Sequence, residues 1–474
     1  MSTGITSPPA ARPARFTGRQ RLILLVLLGA GFMLSVDFSI LNVALPEVGR
    51  GVGLSLTALP WIASAYALPA AGFTLLCGRL GDLLGRRRLF LAGIVLLTAA
   101  SLLGGFATDP AMLLTARTLQ GLSTALTIPA SMSLLTTTFE EGATRDRVLG
   151  LNGALLSGGF TIGALVGGTL VSALSWRSAF FINVPVAVAI LVLAPLLIRE
   201  SRVPDRVGLD VPGAVTVTGG LLAAVYAIIE RNVAAGAAGA VLLAAFWLIE
   251  LRSPAPLAPV RILRRPTVKW GNYAGLVVFG TETSMIFMMT LYLQNVLAFD
   301  PLVTGLVFGV PGLAAVFAGP VAGRLIGRRG YRTVLPAGLA VQTLATVPLI
   351  FLGADRAGLA VLIPALLISF FGHVTAIVAY TVTGTSGLPD HEQGLATGLT
   401  TMTQNIAITI GIPILSAVAA TGTSELNGIH VALTVNVAFT LASAALVWIG
   451  LRPRPRPRHS ANPPAPVADK VQAR

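Results

Sequence analysis

Three ionisable residues stand inside long apolar runs, where a charge needs a physical reason to be present. Asp37 lies in Val36-Asp37-Phe38-Ser39-Ile40-Leu41-Asn42-Val43-Ala44-Leu45-Pro46, Arg117 in Arg117-Thr118-Leu119-Gln120-Gly121, and Glu282 in Gly280-Thr281-Glu282-Thr283-Ser284-Met285. A carboxyl in a low-dielectric setting can take up and release a proton, pair with a guanidinium or bind a cation. Each of the three also has a structural alternative. Asp37 and Arg117 could form a permanent ion pair, and Glu282 could be a buried, hydrogen-bonded acid. Asn42, Gln120, His373, Gln404 and Asn405 are further polar residues in apolar surroundings and are candidates for a cavity wall. For His373, a hydrogen-bonded core or cavity histidine is expected ahead of a proton relay, because no charged residue neighbours it in sequence.

The elements that must hold these residues are membrane helices. The chain has 474 residues, of which 54% are hydrophobic and only 11% charged, against about 25% charged in a soluble globular protein. A spanning helix needs about 20 apolar residues. The apolar runs predict fourteen spans, at 22–46, 57–77, 89–108, 111–136, 148–174, 178–198, 210–229, 234–251, 270–294, 302–326, 331–353, 357–382, 393–420 and 428–451. Alternate loops hold eighteen Lys and Arg, among them Arg145, Arg202, Arg206, Arg261, Arg264 and Arg265, whereas the opposite loops hold four: Arg50, Arg177, Arg231 and Arg356. That asymmetry predicts both termini in the cytoplasm. The net charge of +14 follows from these loops and from the two ends, so it points to lipid headgroups rather than to nucleic acid.

The predicted organisation is a cytoplasmic tail (1–21), a six-helix half (22–198), a linker with two inserted helices (199–251), a cytoplasmic loop (252–269), a second six-helix half (270–451) and a disordered tail (452–474). At 1.5 Å per residue, Asp37 is roughly 22 Å from the cytoplasmic end of its span and Arg117 about 10 Å from the outer end of its own. In a hydrocarbon core about 30 Å thick these depths nearly coincide. The same reckoning puts Glu282 about 18 Å in, near the midplane. Protonating Asp37 would weaken a pair with Arg117, which would make the pair a switch.

Outside the hydrocarbon, Gly78–Arg88 has the spacing G-x-L-x-D-x-x-G-R-R-R. Gly78, Gly81 and Gly85 permit close approach or a sharp turn. Asp82 can accept from a helix N-terminus or pair with an arginine, and Arg86, Arg87 and Arg88 hold the segment on the cytoplasmic side. Gly323-Arg324-Leu325-Ile326-Gly327-Arg328-Arg329 repeats it in part, with Arg324 where Asp82 stands. Gly159, Gly163 and Gly167, with Gly168, leave one smooth helix face for close packing. Cys77 is the sole cysteine, so neither an intrachain disulfide nor a Cys/His metal cluster is expected. No Gly-Lys-Ser/Thr phosphate loop occurs, which argues against ATP hydrolysis.

Gly78–Arg88 resembles the loop between helices 2 and 3 of the major facilitator superfamily. The resemblance implies an all-α polytopic membrane protein with two six-helix halves. The Asp37 segment resembles the helix 1 motif of the fourteen-helix drug:proton antiporters, in which the matching acid is tied to proton or substrate handling. Arg117–Gly121 resembles the helix 4 motif of proton-coupled members. Gly159–Gly168 resembles the helix 5 motif associated with antiporters, with Ala164 where the family usually has proline; without that ring a kink is lost. Gly394, Gly398, Gln404 and Asn405 resemble a late helix of the drug exporters, whereas Glu282 matches no general family motif. The resemblance implies a multi-pass transporter of the cytoplasmic membrane, not an enzyme. It would export small amphiphilic compounds, antibiotics among them, against an inward flow of protons. Its partners would be the substrate, protons and the lipid bilayer. It would be a monomer with no cofactor and no metal, driven by the proton gradient. A proton-coupled importer and a transport-inactive sensor are the alternatives.

Overall fold

The computed structural model describes residues 16–139, 143–201, 210–254, 256, 260–386, 388 and 390–452, and no strand occurs among them. A first group of helices comprises α1 (Gly18–Val52), α2 (Pro60–Leu84), α3 (Arg86–Gly105), α4 (Pro110–Thr138), α5 (Ala143–Ala173), α6 (Ser178–Phe181) and α7 (Asn183–Leu197). A hairpin follows, of α8 (Val211–Ile229) and α9 (Val233–Arg252). A second group comprises α10 (Pro266–Leu291), α11 (Pro301–Arg329), α12 (Tyr331–Thr346), α13 (Leu359–Thr385), α14 (Asp390–Ala419) and α15 (Glu425–Gly450). Lipid offers backbone groups no partners, so a chain this apolar satisfies them inside helices. Polar residues at the helix starts serve the first-turn N–H groups. Thr17 and Gln20 make a reciprocal cap on α1, and Asp109 and Asp300, each followed by proline, cap α4 and α11.

Among the described residues, eleven helical segments are long and apolar enough to cross a membrane, or twelve if Pro60–Leu84, bent by 54° near Thr74, is one span. The two expected spans outside this count lie on α4, whose apolar run is interrupted by Arg117, Gln120 and several hydroxyl residues, and on α5, which carries the shorter apolar segment Gly158–Ala173. Two sequence boundaries also move. The expected tail gives its last residues to α1, which begins at Gly18. Gly78–Arg88 is not a loop, because α2 runs to Leu84 and α3 starts at Arg86, leaving Gly85 alone between them. Polar residues just outside the hydrocarbon suit a helix as well as a loop, and the break falls where the backbone takes φ 113°. Gly330, with φ 75°, makes the matching break between α11 and α12. Arg202 and Arg206 and the C-terminal tail beyond Arg452 lie outside the described residues.

α5 packs along α1 through the glycine face. A Cβ at Gly159, Gly163 or Gly167 would come within 2.7–2.9 Å of Ser35, Ser39 or Ile40. Gly168 instead meets Pro301, Leu302 and Gly305 of α11. The two groups join along α5–α11 and α2–α14, and α8 lies against both α2 and α14 on one flank. Where α1 ends, one apolar core is shared by the groups: Leu45, Val48 and Phe180 pack with Met289, Leu293, Phe308 and Leu433. Toward the start of α1 each group has a core of its own, around Leu27, Phe90 and Leu134 in one and Val277, Leu339 and Val447 in the other.

Candidate functional site

Between the groups lies a cavity of about 460 Å³, walled by α1, α2, α4 and α5 on one side and by α10, α13 and α14 on the other. Phe38, Tyr66, Phe160, Phe279, Phe370 and Tyr380 set aromatic rings into a largely apolar surface. Glu282 is its only acid among the described residues, with Thr283, His373, Gln404 and Asn405 as the nearby polar groups. No residue of α8 or α9 lines it.

Glu282 is 1% exposed. Its Oε2 accepts from Ser369 Oγ at 3.5 Å, and its Oε1 has no hydrogen-bond partner. Gln342 stands behind it, donating to Thr281 Oγ1 at 3.3 Å. The His373 ring packs edge-on against Phe279 at 5.7 Å, and its Nδ1 is unpartnered. A carboxyl so thinly hydrogen-bonded, in an aromatic wall, can hold a proton or meet a cation from the cavity.

Asp37 and Arg117 do not line the cavity. They sit behind its wall, in a cluster where α1, α3, α4 and α7 converge. Arg117 Nη1 lies 3.4 Å from Asp37 Oδ2 and donates to Gln120 Oε1 at 2.8 Å, while its Nε donates to Ile62 O at 3.2 Å. Asp37 Oδ1 accepts from Gln120 Nε2 at 3.1 Å and from Asn183 Nδ2 at 2.5 Å. Ser101 Oγ takes the remaining amide hydrogens of Gln120 and Asn183 at 3.2 and 3.3 Å. Tyr66 is the partition: its ring lies 4.5 Å from the Arg117 guanidinium and also faces the cavity.

At the other end of α2, Asp82 pairs with Arg86 one turn on, at 2.8 Å. The first turn of α3 is served by Glu200, just beyond α7. Its carboxylate accepts from Arg87 N at 3.0 Å and Arg88 N at 3.3 Å, and Arg86 N donates to Ser201 O at 3.0 Å. An acid there is favoured by the unpaired N–H groups and the helix dipole. Gly85 leaves the room, since a Cβ on it would lie 2.7 Å from the Glu200 carboxyl carbon. Arg79 reaches the carbonyl of Pro256.

Residues 27–412 match the family model described as Major Facilitator Superfamily. The chain belongs to that superfamily. It is 34% identical to the puromycin resistance protein pur8 of Streptomyces alboniger, over 90% of each chain. It is 36% identical to the cephamycin export protein CmcT of Amycolatopsis lactamdurans, covering 83% of this chain and 84% of the relative. Among solved structures, a peptide transporter POT superposes with a TM-score of 0.71 at 17% identity, over 92% of this chain and 96% of that one. At that identity the match speaks for the fold alone. This is a multi-pass membrane transporter related to antibiotic exporters, not an enzyme.

The superfamily fold thus brings Asp37, Arg117 and Gln120 into one cluster and puts Glu282, His373, Gln404 and Asn405 on the cavity. Asn42 stands apart from both, donating to Phe38 O at 3.0 Å within α1. Neither Gln120 nor Asn42 is among the residues that line the cavity: Gln120 turns into the cluster with Asp37 and Arg117, and Asn42 is buried. Gly78 and Asp82 fall in the last turns of α2, and Gly85, Arg86 and Arg87 at the break and the start of α3. Asn183, Tyr66 and Glu200 escaped the sequence reading. An amide at the head of an apolar run, in Ile182-Asn183-Val184-Pro185, was the available signal for the first.

Proposed function

We propose that this chain is a proton-coupled exporter of small amphiphilic compounds, antibiotics among them, working by alternating access. The carrying observation is Glu282: an acid with a free oxygen, set in the aromatic wall of a cavity between the two halves. The names of the relatives, a puromycin resistance protein and a cephamycin exporter, favour export of such compounds. Protonation of Asp37, Glu282 or both biases the equilibrium between openings to the two sides. The proton gradient is the driving force; no cofactor or metal takes part, and a monomer suffices.

In this reading the chain has fourteen spans, with α8 and α9 as an inserted hairpin and both termini cytoplasmic. The loop-charge asymmetry supports it. The shared core at the end of α1 is then the closed outer side, and the cavity faces the cytoplasm. Asp82, Arg86 and Arg87 gate the passage by stabilising one of the two openings. Reporter fusions after residues 205, 232 and 258 test the topology; a cytoplasmic signal at 232 would refute the hairpin. The function is tested by export from cells lacking their own pumps, against a compound panel that includes puromycin. Export should stop when an uncoupler collapses the proton gradient. Accumulation unchanged by the chain for every compound, or net uptake along with protons, would refute it.

A further inference from the structure

Asn183 opens α7 directly against the Asp37–Arg117 pair and is 1% exposed. Its Nδ2 donates to Asp37 Oδ1, yet its Oδ1 is sealed from solvent with no hydrogen-bond partner. Folded proteins rarely leave a buried amide oxygen unused, because its desolvation is uncompensated. The other groups bonded to Asp37 are also donors: Arg117 Nη1 at 3.4 Å and Gln120 Nε2 at 3.1 Å. Gln120 is not available to turn round, since its Oε1 holds Arg117 at 2.8 Å. The cluster is complete for a carboxylate, and it offers a carboxylic acid nothing to donate to.

We propose that Asn183 is the positioning residue that lets Asp37 exist in both protonation states, by rotating its side-chain amide through half a turn when the proton arrives. With Asp37 ionised, Nδ2 faces the carboxylate. With Asp37 protonated on Oδ1, the new O–H donates to Asn183 Oδ1 and fills the unused acceptor, while Nδ2 gives up its bonds to Asp37 and Ser101. The proton is the only particle transferred, and no other covalent bond changes. The charged or titratable groups facing Asp37 are Arg117 from α4 and Tyr66 from α2; α3 and α7 present only Ser101 and Asn183. Arg117 keeps Gln120 Oε1, Ile62 O and the Tyr66 ring in either state. The contact that reverses its direction is therefore between α1 and α7. This rests on the reading that Asp37 takes up a proton during transport.

Infrared difference spectra of the full chain in lipid, recorded between acid and alkaline pH, test this without any substrate. Wild type labelled with carbon-13 asparagine is expected to show two changes together. One is a carboxylic C=O band that Asp37→Asn removes; the other is an amide C=O shift that Asn183→Ser removes. The amide shift should vanish in Asp37→Asn although Asn183 is intact there. In Asn183→Ser, whose hydroxyl can donate or accept, the carboxylic band should stay hydrogen-bonded; in Asn183→Leu it should move to the position of a free acid. If Asn183→Leu does not fold, the other three proteins decide. An amide shift that survives in Asp37→Asn, or a carboxylic band with no amide shift, overturns the role of Asn183 and leaves protonation of Asp37 standing. No carboxylic band from Asp37 at any pH overturns both.

Discussion

Arg117 Nη1 lies 3.4 Å from Asp37 Oδ2, and the two side chains are 1% and 0% exposed. Removing one member of such a pair leaves the other charge buried and uncompensated, at a cost of about 3–5 kcal/mol. Arg117→Leu is expected to lower the melting temperature of the purified protein clearly. Adding Asp37→Asn should recover most of the loss. A double variant no more stable than the single one would show that the pair carries no mutual energy.

Transport should report the same coupling. Arg117→Ala is expected to move the pH dependence of export in the wild-type background, and much less in Asp37→Asn. Equal shifts in both backgrounds would mean that the two residues act independently, despite their contact.

Glu282→Gln keeps the shape and most of the hydrogen bonding but cannot ionise. Two results are compatible with a working acid. Loss of proton-driven export for every compound marks Glu282 as the coupling site, whereas selective loss of cationic compounds marks it as a recognition site. Wild-type export of the whole panel with an unchanged pH profile would reduce it to a structural acid held by Ser369.

Asp82 pairs with Arg86 and does not line the cavity. Asp82→Asn is therefore expected to slow turnover while binding in detergent stays within about threefold of wild type, since a partly exposed ion pair contributes little to a remote site. Binding lost in well-folded protein would mean that this segment does more than gate.

Gly85 has φ 113°, and a Cβ there would meet the Glu200 carboxylate. Gly85→Ala should cost about 1–3 kcal/mol, the usual range for a non-glycine residue forced into such a conformation. Gly81→Ala is the control, because its nearest neighbour would be Leu89 at an ordinary 3.5 Å. If both variants melt together, the break between α2 and α3 is less constrained than its geometry implies.

Apolar runs and motif spacing by themselves determined much of this protein. A run of about 20 apolar residues has one solution in lipid, so the helices were legible, as was the fold family through Gly78–Arg88 and Asp37. The coincidence of Asp37 and Arg117 in depth could be computed, because rise per residue is constant along a helix. Rotation about the helix axis could not. Asn42 and Gln120 carry the same kind of side chain as Asn405 and Gln404, yet only the latter two face the cavity. Which side of a helix looks inward depends on how its neighbours pack, and in a helix apolar all round no amphipathic stripe announces it. Partners distant in sequence were hidden for the same reason: Asn183 stands 146 residues from Asp37, and Glu200 reaches Arg87 across 113. Only the packing of α7 against α1 and α3 brings them together.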